Sequence, residues 1–222
     1  WPRANLSMAA ANGKLYSVCG YGPPDSTDTN GNVFAVNRQA GFSIYTIGAG
    51  TWQSARWNNT GPTGYNNGNG TAGPTRDQGT YTSNNQCFAY DRDGDGTQEL
   101  FVLAGYPIWE GCCGIYDPNT DAWSNSAGRS GGLVAAYLAT ALEWNGKGWV
   151  YGGQYNGPDG NGFYVYDIAS DSWTQLANGP VRMKQHCGEI IGSTMYLIGG
   201  QQDTVYYSTG VFNYNLVSGT WD

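Results

Sequence analysis

Gly162-Phe163-Tyr164-Val165-Tyr166-Asp167-Ile168-Ala169-Ser170-Asp171-Ser172-Trp173 is the stretch on which the fold turns. Alternating aromatic and β-branched residues favour a strand, and the small polar residues before the Trp favour a tight turn. The pattern returns at Gly41–Trp52, Gly114–Trp123 and Gly210–Trp221. Each copy follows an apolar run that ends in small residues: Leu15–Gly20, Leu100–Gly105, Gly148–Gly153 and Met195–Gly200. The repeat Trp residues stand at 52, 123, 173 and 221, and the later steps give a period of about 50 residues.

Composition agrees with short strands and many turns. The 222 residues include 35 Gly and 14% aromatics, with only 12% charged residues, too few for amphipathic helices. The formal charge of −7 leaves no basic face for phosphates, which argues against nucleic acid as a partner. No apolar stretch is long enough to span a bilayer.

A Gly-Gly-ended strand followed by Tyr-Asp and a Trp, as in Tyr166-Asp167 to Trp173, resembles the kelch repeats of galactose-oxidase-like central domains. The resemblance covers nearly the whole chain. It implies an all-β propeller of about four blades, each a four-stranded antiparallel sheet, with the repeat Trp packing blade on blade. The expected blades are 1–56, 80–128, 133–179 and 180–222, with 57–79 as a Gly- and Asn-rich surface loop. If each outer strand follows its Trp, the fourth blade lacks one in the given sequence, so that either another chain completes it or sequence is missing. Trp1-Pro2-Arg3 resembles the end of such a strand, and an open edge is a template for self-assembly.

Asp91-Arg92-Asp93-Gly94-Asp95-Gly96-Thr97-Gln98-Glu99 carries the clearest chemistry. Asp91, Asp93, Asp95 and Glu99 crowd four carboxylates that repel one another without a cation. Thr97 can add a backbone carbonyl, and oxygens alone suit a hard ion such as Ca²⁺. An EF-hand needs Glu three residues beyond Glu99, where Val102 stands. The stretch instead resembles the FG-GAP calcium loop of integrin-type propellers. That resemblance implies ligands at Asp91, Asp93, Asp95, Thr97 and Glu99 in the first hairpin of a blade, and a structural role for the ion.

The remaining signals point outside the cell. Sequons at Asn5, Asn58 and Asn69 offer glycosylation sites. Adjacent Cys112 and Cys113 are candidates for a vicinal disulfide or for separate partners, and the spacing of the five cysteines is not that of a zinc site. The chain starts at Trp1 without an initiator Met, as a processed or partial sequence would.

No catalytic set emerges. Gly128-Arg129-Ser130-Gly131-Gly132 matches a nucleophile elbow without the α/β sheet that an elbow needs. Gly68, Gly70 and Gly73 match a dinucleotide fingerprint without a βαβ unit. Copper-radical chemistry of the galactose-oxidase kind needs two histidines, and His186 is the sole one, expected to pack structurally. The reading is therefore a secreted calcium-binding propeller that binds an extracellular protein, a glycan or copies of itself. A self-assembling filament or matrix subunit, a lectin stacking sugars on Trp57, Tyr65, Tyr106, Trp109 or Tyr155, and a polysaccharide-acting enzyme are the alternatives.

Overall fold

A computed structural model describes residues 6–18, 42–53, 86–103, 113–125, 138–154, 160–202 and 206–222. Among them the chain is all-β, and no helix is long and apolar enough to cross a membrane. Four small antiparallel four-stranded sheets form a four-bladed β-propeller.

Blade 1 runs β1 (Ser7–Ala11), β2 (Lys14–Val18), β3 (Phe42–Thr46) and β4 (Thr51–Gln53). Blade 2 is β5 (Gln86–Tyr90), β6 (Glu99–Leu103), β7 (Cys113–Asp117) and β8 (Ala122–Asn125). Blade 3 is β9 (Thr140–Trp144), β10 (Lys147–Tyr151), β11 (Phe163–Asp167) and β12 (Ser172–Gln175). In blade 4, β13 (Cys187–Ile191) and β14 (Thr194–Ile198) precede a small ribbon of β15 (Gln201–Gln202) and β16 (Tyr206–Tyr207). It ends with β17 (Val211–Asn215) and β18 (Thr220–Trp221). Strands pair in sequence order within each blade, as up-and-down hairpins must.

Turn chemistry sets the register. Asn12-Gly13 and Asn145-Gly146 take the paired positive φ of a type I′ turn, at 52° and 69° and at 53° and 72°. These two-residue turns join the first and second strands of blades 1 and 3. In blade 2 the acidic stretch occupies the same place, between Tyr90 and its partner Glu99.

The Tyr-Asp…Trp pattern builds the other hairpin. Asp117 Oδ1 accepts the Asn119 amide at 2.8 Å, and Asp167 Oδ1 accepts that of Ser170 at 2.9 Å, closing the turn before the outer strand. Tyr116 and Tyr166 donate their hydroxyls to Asp121 and Asp171 across those turns. The repeat Trp lies within the outer strand, opposite that Tyr, rather than before the strand. Blade 4 therefore has its own fourth strand, contrary to the expectation that it is incomplete.

Apolar clusters fill three junctions. Tyr16, Val18 and Ile44 meet Leu100, Val102 and Tyr116 between blades 1 and 2. Phe88, Phe101, Leu103 and Ile115 meet Val150, Tyr164 and Tyr166 between blades 2 and 3. Trp149, Tyr151, Phe163 and Val165 meet Met195, Leu197 and Tyr214 between blades 3 and 4. Fully burying one such side chain contributes roughly 1.5–3 kcal/mol, so these clusters hold blade on blade.

Candidate functional site

The acidic turn of blade 2 gathers Asp91, Asp93 and Asp95, each offering one oxygen, with those oxygens all within 4.8 Å of one another. Backbone amides organise the carboxylates. Asp91 Oδ1 accepts the Gly94 N–H at 2.8 Å and its Oδ2 that of Gly96 at 3.0 Å. Asp93 Oδ1 accepts the Asp95 N–H at 3.2 Å, and Asp95 Oδ1 that of Thr97 at 2.7 Å. Gly94 and Gly96 turn the chain with φ of 75° and 88°, left-handed values that residues with a Cβ rarely adopt.

Glu99 and Thr97, the other two residues named from sequence, make contacts of their own. Glu99 is buried at the start of β6 and outside the close carboxylate group. Its Oε2 accepts the Arg92 amide at 2.8 Å, and its Oε1 lies 3.8 Å from Arg92 Nε. Thr97 donates its hydroxyl to Asn119 Oδ1 at 3.3 Å.

Two further residues brace the loop. Asn119, on the β7–β8 turn, donates its Nδ2 to Asp95 Oδ2 at 2.7 Å. Asn12, on the β1–β2 turn, donates Nδ2 to the Gln98 carbonyl at 2.9 Å and accepts the Gln98 N–H at 3.0 Å. Asn12 thereby ties blade 1 to the loop of blade 2. Neither belongs to a ligand motif; each is a turn residue whose contact here depends on what the fold sets opposite it.

The set of three convergent carboxylates with polar surroundings fits a hard divalent cation, which takes oxygen ligands. The amide donors fix the orientation of each Asp.

His186 lies elsewhere, between blades 3 and 4, at 6% exposure. Its ring packs edge-on to Tyr151 at 5.8 Å, and its carbonyl accepts the Thr140 hydroxyl at 2.9 Å. Among the described residues neither ring nitrogen has a hydrogen-bond partner, and burial lowers the imidazole pKa to about 4. Nearby, burial pushes the Tyr151 phenol up to about 12 although its hydroxyl donates to the Val181 carbonyl. Gly152 passes close by with φ of 68°.

Several residues named from sequence lie outside the described residues: Asn5, Asn58, Asn69, Trp57, Tyr65, Tyr106, Trp109, Tyr155 and Cys112. Cys113 is described only as backbone in β7. The 57–79 segment also falls outside them.

No protein-family model matches the chain, and no curated protein matches it. Solved structures do. A structure of YjhT aligns over 100% of this chain with a TM-score of 0.64 and 13% sequence identity. The chain is similar to YjhT in fold. It spans 65% of the length of YjhT, and at 13% identity the likeness shows the fold alone.

Proposed function

We propose that this chain is a secreted, calcium-binding β-propeller that acts as a binding module rather than an enzyme. The observation that carries the reading is the Asp91, Asp93 and Asp95 cluster, its oxygens within 4.8 Å of one another on a glycine-turned loop. Bound calcium supplies positive charge that removes the mutual repulsion of these carboxylates. The loop sits beside the blade 1–blade 2 junction through Asn12, so an ion there braces the scaffold. Kelch ancestry and the FG-GAP resemblance belong to the same proposal, supported by the repeat spacing and by the loop's place in a first hairpin.

Calorimetric titration with calcium chloride, paired with thermal unfolding in calcium and in EDTA, tests this reading. Calcium at 100 times its Kd is expected to stabilise the fold by about 2.7 kcal/mol. Asp93→Asn should weaken binding at least tenfold, since it removes one charge and one strong oxygen donor. A titration without saturable heat, together with a Tm unchanged by EDTA, would overturn the calcium assignment. Turnover of a polysaccharide by the purified protein would overturn the non-enzymatic one.

A further inference from the structure

His186 closes the connection that carries the chain from β12, the outer strand of blade 3, to β13, the first strand of blade 4. This connection, residues 176–186, is tied to both blades, mostly through main-chain groups. On blade 3, the Gly179 N–H donates to the Asn161 carbonyl at 2.9 Å, and Asn161 Nδ2 donates to the Gly179 carbonyl at 2.9 Å. The Met183 N–H donates to the Gly160 carbonyl at 3.2 Å, and the Gly153 N–H to that of Met183 at 2.6 Å. The Gln185 N–H donates to the Leu138 carbonyl at 2.9 Å. On blade 4, Lys184 and Gln201 exchange amide-to-carbonyl bonds at 3.1 and 2.8 Å.

The histidine is wedged where these ties meet. A Cβ on Gly152 would lie 2.9 Å from His186 Cε1, and one on Gly200 would lie 2.7 Å from His186 Cβ. Both glycines take left-handed φ, 68° and 83°, so blades 3 and 4 each press bare backbone against the side chain. Tyr151 stands edge-on to the ring, and its hydroxyl donates to the Val181 carbonyl on the same connection. An imidazolium carries two N–H groups, and each needs an acceptor when buried. Among the described residues neither ring nitrogen has one.

The groups around the ring do not offset a positive charge. Tyr151 of β10 is the titratable group in contact with it, and that phenol, pushed up to about 12, stays neutral. Glu143 and Lys147 stand toward the opposite ends of β9 and β10, away from Thr140 and Tyr151, and β14 brings Tyr196 at its middle. Cys187 and Glu189 of β13 are exposed, and Arg182 and Lys184 of the connection are themselves cationic. Burial is the cause of the histidine's lowered pKa.

We infer that His186 is an acid-operated latch, whose protonation frees the 176–186 connection from blades 3 and 4 while the four sheets stay folded. The connection is the part that yields. Its apolar anchors in the junction are few, Leu176, Val181 and Met183, whereas the adjoining sheets bury Trp149, Tyr151, Phe163 and Leu197 there. Once the connection opens, the ring meets solvent and takes up a proton near pH 6.5, while the closed form resists until about 4. Opening is therefore favoured as pH falls through that window, by roughly thirtyfold between pH 7.5 and pH 5. The latch is independent of calcium.

Amide hydrogen exchange of the unaltered chain at pH 7.5 and pH 5, corrected for the intrinsic pH dependence of exchange, tests the latch. Protection at Gly153, Met183, Gln185 and Gln201 should fall by about thirtyfold at the lower pH, and that of β6 by less than about threefold. His186→Leu and His186→Gln should each flatten the pH dependence at those four amides, whatever their absolute protection. His186 is the one histidine of the sequence, so its ring resonances identify themselves. They should report the neutral imidazole at pH 5.5 in the folded protein. A ring that titrates near pH 6.5 in the folded protein overturns the proposal. So does protection that falls equally in β6 and the connection, or a pH dependence that persists in both variants.

Discussion

His186 shows how strongly one buried side chain can be set by its surroundings. Its two ring nitrogens lack partners among the described residues and its pKa is lowered from 6.5 to about 4, so it folds as the neutral imidazole. The unfolded chain takes up the proton near pH 6.5, while the fold resists until about 4. The histidine's contribution is therefore complete above pH 6.5, shrinks as pH falls and is gone near 4. At 1.36 kcal/mol per unit the span is on the order of 3 kcal/mol. Burial raises the Glu143 pKa, an effect of opposite sign, so the comparison needs a variant. Denaturant unfolding from pH 8 to pH 4 should show a steep loss for the parent and a flatter profile for His186→Leu. Equal slopes would contradict the assignment. Gly152 explains why this pocket tolerates no extra atom. A Cβ there would sit 2.4 Å from the Met183 carbonyl oxygen and 2.9 Å from His186 Cε1.

At the scale of strands, face matters more than residue type. The repeat Trp occupies equivalent positions in β4 and β12, paired with Tyr45 and Tyr166. Trp173 packs into the cluster between blades 2 and 3, whereas Trp52 is exposed. Trp173→Ala is expected to lower stability by roughly 2–4 kcal/mol, and Trp52→Ala by less than about 0.5 kcal/mol. Urea unfolding of both variants reads the difference, and similar losses would refute this account of the junctions. Cysteines make the same point. Cys87 and Cys187 both lie at the start of first strands, but register offsets them by one residue. A one-residue offset reverses the face in a strand: Cys87 is buried toward blade 1, and Cys187 is exposed.

Across the whole molecule, blades contact their neighbours in series, and stability should be distributed accordingly. Blades 2 and 3 are packed on both faces, and every residue of β6 is buried. Among the described residues β4 is exposed along its length. Native-state hydrogen exchange should find the slowest amides in β6 and β10 and the fastest in β4 and β18. Uniform protection across the four sheets would contradict this ordering.

The strands, their order, the blade count and the acidic turn are readable along the chain because each depends on spacing within a few dozen residues. Asn12-Gly13, Tyr166-Asp167 and Asp91-x-Asp93-x-Asp95 are short-range patterns with short-range causes. Position across blades is a different matter. Nothing local tells that Asn12 would clasp Gln98, that Asn119 would reach Asp95, or that Glu99 would turn to Arg92. Spacing alone also misplaces the outer strand, since only pairing shows that Trp221 lies opposite Tyr214. These contacts join distant stretches, and their partners are chosen when sheets stack face to face. Stacking likewise seats the Tyr–Trp pairs of blades 2, 3 and 4 against the blade before each.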